Sequence, residues 1–278
     1  MRFREIQKGH LPEPLNLLNL REPMNQIQPG HYAQKQLLSP SGLVRWSHGS
    51  RFRLARELVA PFAGRRLLDY GCGDGTFLAL VQDLFPAALG VDVAADQIAD
   101  CARRFAGAPD IAFLSTDRLI DPEHRNRHEI VVCMEVLEHC PDDIQVTVLD
   151  QMFGATAPGG TVVISVPIEI GPPLLAKQSA RALVALGGLS EYATRERYQP
   201  AELVRMLFAG PETAIPREEY QGNLGSRFTG HKGFNWRRLQ RTIERRFDVK
   251  RRLFSPLPLL GAWLNSQVWF VCRKPSTA

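Results

Sequence analysis

The stretch that decides the fold is Leu67-Leu68-Asp69-Tyr70-Gly71-Cys72-Gly73-Asp74-Gly75-Thr76-Phe77-Leu78. Its opening residues read as an apolar strand and those from Thr76 onward as a helix, with three glycines packed into the turn between them. Glycine lets the backbone bend sharply and approach a ligand where a Cβ would clash. A helix that starts directly after such a turn offers free backbone N–H groups to an anion.

The placing of charge narrows the ligand. Dinucleotide-binding turns usually run G-x-G-x-x-G after an apolar lead-in, whereas here the third glycine comes one residue early and Asp69 precedes the first by two. An acid there suits a ligand bearing an ammonium group rather than a pyrophosphate. A nicotinamide-dependent dehydrogenase is correspondingly disfavoured. Leu89-Gly90-Val91-Asp92 ends a second strand in an acid about twenty residues beyond the turn, where a carboxylate accepts from both hydroxyls of a ribose. A third strand ends in Ser115-Thr116-Asp117, and Asp117 either accepts from the exocyclic amine of an adenine or caps the next turn.

Working outward, strands over Arg66–Tyr70, Ala88–Asp92, Ile111–Leu114, Ile130–Met134 and Thr161–Val166 alternate with helices over Thr76–Phe85, Ala94–Phe105 and Asp142–Ala155. That alternation is the pattern of parallel βαβ units. An amphipathic helix over Val44–Phe62 precedes them, and Pro158-Gly159-Gly160 reads as a turn before the fifth strand. After Val166 the alternation breaks. Pro172-Pro173 open an apolar helical run to Leu186, a second helix lies near Ala201–Phe208, and the length of this insertion suits a lid or binding element. A helix at Trp236–Arg246 and strands at Phe247–Leu253 and Val268–Arg273 complete the pattern. The expected organisation is an N-terminal arm or cap over 1–50 and one α/β domain over 51–278, with the lid at about 167–232.

Composition sets outer limits. With 278 residues, 44% hydrophobic and 23% charged, the chain can bury a full core. Its five cysteines form no C-x-x-C pair, which speaks against a disulfide framework or zinc knuckle and fits a reducing cytoplasm. No secretory signal is expected, and the most apolar stretch, Leu253–Val271, is too interrupted by proline and polar residues to span a membrane. The formal charge of +5 concentrates between Arg237 and Arg252. Such a cluster meets nucleic acid or an anionic membrane surface, or is a solvated helix face followed by an edge strand.

On these residues, and on Glu129-Ile130-Val131-Val132-Cys133-Met134-Glu135-Val136-Leu137-Glu138-His139, the chain resembles class I S-adenosylmethionine-dependent methyltransferases. The resemblance is strongest to the branch containing the ubiquinone-biosynthesis O-methyltransferases, and it covers roughly Arg51 to Val166. It implies a Rossmann-like three-layer sandwich on a seven-stranded, mostly parallel sheet with the last strand antiparallel. It further implies that Gly71 and Gly73 line the methionine part of the cofactor, that Asp92 holds its ribose and that Met134 contacts it from the fourth strand; Asp69, Cys72 and Gly75 of the same turn, and Asp117 where it does not cap, are the other expected cofactor-binding residues. Arg51 lies at a distance resembling that of an arginine which in the quinone enzymes pairs with the cofactor carboxylate, a group its planar fork matches bidentately; otherwise it is a solvated arginine on the Val44–Phe62 helix.

Methyl transfer from a sulfonium is an in-line displacement, so positioning dominates and a hydroxyl acceptor must also lose a proton. His139, with Glu138 beside it, is the expected catalytic pair, His139 acting as general base just past a strand's C-terminal end. The same E-x-x-E-H array also reads as a divalent-metal site of Glu135, Glu138 and His139, with His231 as a conceivable further ligand. The expected acceptor is a small molecule, most readily through a hydroxyl oxygen. No stable nucleic-acid partner is expected, and peripheral membrane contact is left open, as is the oligomeric state. Two other readings remain: a nucleic-acid methyltransferase, which the arginine-rich stretch suggests, and a non-catalytic cofactor-binding protein of the same fold.

Overall fold

Residues 27–40, 42–175, 198–222 and 226–276 are described by the computed structural model. The strands in chain order are β1 (Leu67–Tyr70), β2 (Ala88–Asp92), β3 (Ile111–Ser115), β4 (His128–Met134), β5 (Thr156–Pro167), β6 (Glu219–Gln221), β7 (Arg227–Thr229), β8 (Asp248–Ser255) and β9 (Gln267–Arg273). Seven of them form one sheet in the order β3-β2-β1-β4-β5-β9-β8, and β6 and β7 pair as a separate hairpin. The pairs from β3 through to β5 are parallel, while β9 runs antiparallel to both β5 and β8. This is the expected mostly parallel Rossmann-like sheet with an antiparallel last strand. Strand order reverses between β1 and β4, and in open α/β sheets ligands bind in the crevice at such a switch point.

The helices are α1 (Gly42–Val59), α2 (Thr76–Val81), α3 (Ala95–Arg104), α4 (Asp142–Ala155), α5 (Pro200–Leu207) and α6 (Trp236–Glu244). They give the sheet two covered faces, which explains why its central strands are continuous apolar runs rather than alternating ones. Successive strand residues point to opposite sides. Leu68, Val131 and Val162 thus pack with Leu149 and Met152 of α4 and Leu239 of α6. Leu67, Val132 and Val163 pack instead with Phe52 and Val59 of α1 and Phe77 of α2.

Several element boundaries differ from the sequence pattern. Helix α2 stops at Val81 rather than Phe85, the chain turning there while Phe85 stays buried. Pro158-Gly159-Gly160 is not a turn ahead of the fifth strand but an irregularity inside β5, where Gly159 takes φ +70 and the β4 register shifts between His128 and Ile130. The β6–β7 hairpin gives little sequence signal because its strands are three residues long and mostly exposed. Helix α1 runs unbroken through residue 50, so the arm and the domain share it. Residues Pro172 to Leu175 are helical, whereas the remainder of the expected run to Leu186, like the arm before residue 27, lies outside the described residues.

The basic stretch forms α6 and the edge strand β8. Asn235 caps α6, its side chain accepting from Arg237 N (3.0 Å) and Arg238 N (3.2 Å). Trp236, Leu239 and Ile243 face inward, while Arg238 pairs with Asp142 and Arg246 with Asp150. Among the described residues no helix is long and apolar enough to cross a membrane.

Candidate active site

The glycine turn is tied to the sheet by its own backbone. Gly71 N and Cys72 N both donate to Val91 O, at 2.8 and 3.0 Å. Gly71 has φ +75, and a Cβ there would lie 2.3 Å from Val136 Cγ2, so the position demands glycine twice over. Gly73, at φ +52, faces open space where a Cβ would stand. Its N–H donates to Asp92 Oδ2 (2.9 Å), and Asp92 Oδ1 accepts from Ala94 N (2.9 Å), which fixes the β2 carboxylate beside the turn.

A cavity of about 300 Å³ opens at this point, bounded by the turn from Asp69 to Asp74, by Met134 and Glu135 at the end of β4, by Arg51, and by His31 and Tyr32 of the arm. Asp69 is only 2% exposed. Burial, then the nearby Asp92 and Asp74, push its carboxyl up to about 8. Three acids around one small cavity favour a cationic occupant, as the sulfonium and ammonium of S-adenosylmethionine provide, and the open space at Gly73 gives it room. The residues present therefore fit that donor.

Asp74 fastens the roof of the cavity. Its Oδ1 accepts from Thr76 N (3.1 Å) and Thr76 Oγ1 (2.6 Å) at the start of α2, while Oδ2 accepts from Tyr32 N (2.8 Å). Gly30 allows the approach, since a Cβ on it would meet Asp74 Oδ2 at 2.2 Å. Arg51, on α1, donates from Nη1 to the Tyr32 hydroxyl (3.2 Å), and Nη2 lies 3.4 Å from Glu135 Oε2. With the Gln267 amide turned to donate to Ser255 Oγ, its oxygen accepts from Arg51 Nη2 at 2.8 Å. The Tyr32 hydroxyl in turn donates to His48 Nδ1 (2.7 Å), consistent with a ring that burial and then Arg51 lower to about 4 and so keep neutral. Glu135 has φ +56, uncommon for a residue with a side chain, and its Oε1 accepts from Ser165 Oγ (3.2 Å).

A second polar cluster follows β4. Glu138 is fully buried with neither carboxylate oxygen hydrogen-bonded, and burial, then the Glu135 charge, push its carboxyl up. His139 Nδ1 lies 3.2 Å from Thr229 O; a carbonyl only accepts, so Nδ1 carries the proton and Nε2 presents a lone pair, 3.9 Å from Glu138 Oε1. Burial, then His231, lower the His139 ring. His231 stands edge-on to His139 with ring centres 4.7 Å apart, its Nδ1 3.6 Å from Glu169 Oε1. Ligand atoms of Glu138, His139 and His231 all lie within 4.8 Å of one another.

Arg217 holds this cluster together. Its guanidinium donates to the carbonyls of Glu138, Cys140 and Gly230, and Thr229 Oγ1 donates to Glu138 O (3.1 Å). The segment carrying His231 is thereby clamped to the turn carrying His139.

Of the residues singled out from the sequence, Arg51, Asp69, Gly71, Cys72, Gly73 and Met134 line the cavity together. Gly75 instead caps α2 at φ +70 against Phe105, and Asp92, half-buried at the end of β2, is not among the lining residues but accepts from Gly73 N of the turn that is. Asp117 is exposed and not among the lining residues. It sits in the first turn of the short helix Thr116–Ile120, where the Ser115 hydroxyl, with backbone N–H groups, holds its carboxyl low. Glu135, expected with Glu138 and His139 at a metal, is engaged by Arg51 and Ser165, and His231 takes the third place in the cluster. Sequence reasoning missed Asp74, Glu169, Arg217, Thr229 and Gln267, each of which has a partner distant in the chain.

An acid-flanked glycine turn at the switch point of this sheet defines an α/β domain that binds a cationic nucleoside donor. A family model described as a methyltransferase domain matches residues 47–208. The chain belongs to that family, and its domain is of the S-adenosylmethionine-dependent kind. The ubiquinone biosynthesis O-methyltransferase of Thiobacillus denitrificans is 30% identical over 193 residues, covering 64% of this chain and 80% of the relative. The enzyme of that name from Paracidovorax citrulli is 32% identical over 134 residues, 43% of this chain and 55% of the relative. A trans-aconitate 2-methyltransferase of Methylobacterium radiotolerans is 32% identical over 142 residues, 49% and 52%. The match thus spans little more than half the length of the last two. Among solved structures, a protein of Pyrococcus horikoshii OT3 superposes with a TM-score of 0.57 at 13% identity, covering 89% of this chain and all of that one. The methyltransferase domain of bacterial CtHen1 gives 0.52 at 14%, covering 81% and 98%. At such identities the likeness shows the fold alone.

Proposed function

We propose that this chain methylates a hydroxyl oxygen of a small-molecule acceptor. S-Adenosylmethionine, when bound, supplies an electrophilic methyl group on a sulfonium. In this reading Asp69 receives the ammonium of the methionine part, Arg51 its carboxylate and Asp92 the ribose hydroxyls. Met134 packs against the donor from the end of β4. His139, with a free Nε2 lone pair and a ring kept neutral near working pH, takes the acceptor's proton. Asp74 and the arm exclude water by roofing the cavity.

The observation that carries this reading is Asp69, a buried carboxyl inside a cavity ringed by acids beside an open glycine turn. The test is turnover of isotopically labelled donor against a pool of small hydroxylated metabolites, compared with RNA. Label moving into a small molecule at oxygen supports the proposal. Label moving only into RNA, or into nothing while the donor binds, contradicts it.

A second reading concerns a metal, favoured by the buried Glu138 whose oxygens lack partners and by two imidazoles presenting lone pairs nearby. Glu138, His139 and His231 would hold a divalent cation, with Glu169 orienting His231. Such a cation would lower the pKa of a bound hydroxyl. Calorimetric titration with magnesium, manganese and zinc, against Glu138→Gln as control, tests this reading directly; absence of binding by all three removes it.

A further inference from the structure

Gln267 is remote from the donor turn in the chain and close to it in the fold. Strand residues alternate between faces, so Gln267, Trp269 two positions on, and Ser255 opposite Gln267 on β8 all share one face. It is the face that α1 covers, for Trp269 packs there with Phe52, Val59 and Met134. Register sets the height. Met134, which lines the donor cavity, pairs with Ser165 and through it with Trp269. Gln267, paired with Pro167, stands beyond that level toward the C-terminal ends of the parallel strands, where it meets Arg51 of α1.

The amide is buried and its orientation is forced. Gln267, Ser255 and Trp269 are all buried. Trp269 Nε1 donates to Ser255 Oγ (3.0 Å), and the same hydroxyl oxygen lies 3.0 Å from the Gln267 amide nitrogen. A guanidinium has donors and no acceptor, so the amide must turn its oxygen to Arg51 and its nitrogen to the serine. That oxygen accepts from Arg51 Nη2 (2.8 Å) and from Nε. Three buried side chains on two strands thus present one carbonyl oxygen to one arginine.

The remaining contacts of Arg51 point into the cavity. Nη1 donates to the Tyr32 hydroxyl (3.2 Å) and Nη2 lies 3.4 Å from Glu135 Oε2, and Tyr32, Arg51 and Glu135 all line the donor cavity. An arginine has a long, rotamer-rich stem, and fixing its fork before a carboxylate arrives reduces the entropy lost on binding. An acid at position 267 would fix the fork as well, but would compete for its charge. A neutral amide fixes it and leaves the charge in play.

We propose that Gln267 is a positioning residue for Arg51: it aims the guanidinium at the carboxylate of the donor, and as a neutral group it leaves the positive charge for that carboxylate. This role rests on the reading of Arg51 given above, and the two can fail separately.

Calorimetric titration of the full chain with S-adenosylmethionine, and with 5′-methylthioadenosine, which lacks the amino-acid part, tests both. Arg51→Ala should weaken S-adenosylmethionine and leave 5′-methylthioadenosine unchanged. Gln267→Leu should lower the affinity for S-adenosylmethionine roughly tenfold, the scale of one hydrogen bond to a charged group, and again spare 5′-methylthioadenosine. Gln267→Glu, nearly isosteric and able to accept from the same donors, should melt with the parent yet also weaken S-adenosylmethionine alone. In an Arg51→Ala background neither Gln267 substitution should change affinity further. Parent-strength binding of S-adenosylmethionine by either Gln267 variant overturns the proposal. So does a loss shared equally by 5′-methylthioadenosine, or one that persists without Arg51. Parent-strength binding by Arg51→Ala would instead overturn the reading of Arg51, and the role of Gln267 with it.

Discussion

Asp69 makes a pH prediction with a definite sign. Its carboxyl, raised to about 8 by burial and its acidic neighbours, is largely neutral at pH 6 and largely ionised at pH 9. A cationic donor favours the ionised form, so affinity should rise between pH 6 and about 8.5 and then level off, with proton release on binding. Asp69→Asn should flatten that profile in calorimetry run in buffers of different ionisation enthalpy. The folded value lies above the usual carboxylate value, so the residue's contribution to stability is present at low pH and is lost as pH climbs toward 8. Gly71→Ala imposes a Cβ both on a left-handed backbone and on Val136. It should destabilise the fold by about 1–3 kcal/mol in urea and weaken donor binding; an unchanged midpoint would refute the steric account. Asp92→Ala should cost about 1–3 kcal/mol of donor affinity, read by calorimetry, since it unties Gly73 N and, on the proposed reading, removes the acceptor of the ribose hydroxyls. Asp69 and Gly71 were legible in the sequence because one contiguous turn holds them, and Asp92 because it ends the next strand about twenty residues beyond that turn. The pairing of Glu135 with Arg51 was not, because the array Glu135-x-x-Glu138-His139 looks alike whether or not its first acid turns toward a guanidinium on another helix.

At the scale of elements, Asp74 couples the start of α2 to the arm. Asp74→Ala leaves Tyr32 N and Thr76 N without their acceptor, and should cost about 1 kcal/mol as lost caps do. Limited proteolysis should then cut near residues 27–33 faster than in the parent, with added donor giving less protection. Equal cleavage rates would show that the arm is held by other contacts. Periodicity found the sheet strands and most of the helices, since two covered faces impose long apolar runs and a 3.6-residue repeat. It failed where local signals compete with tertiary ones. Pro158-Gly159-Gly160 has turn chemistry, yet the chain pairs with β4 at Thr156 and again from Thr161, and Gly159 N and Gly160 O bond the backbone of Lys274 just past β9. The β6–β7 strands have no apolar alternation to read, and their importance lies in clamping Thr229 and His231 against the end of β4.

Across the whole molecule, the reversal of strand order between β1 and β4 collects the functional groups at one edge. The donor cavity lies at the C-terminal ends of β1 and β4, and the Glu138–His139–His231 cluster just beyond β4. The cluster could be read only in part from the chain, because His231 arrives from a segment far downstream that Arg217 fastens in place. The basic stretch shows the same limit: its sequence suggests a polyanion site, but Arg238, Arg246 and Arg252 are taken up by Asp142, Asp150 and the Trp236 ring. Donor recognition remains the foundation for the catalytic reading. Isothermal titration of the full chain at pH 8 with S-adenosylmethionine, and with its demethylated product, tests it most directly. Saturable one-site binding of both, weakened by Asp92→Ala, is the predicted result. No heat and no thermal stabilisation with either compound would contradict it.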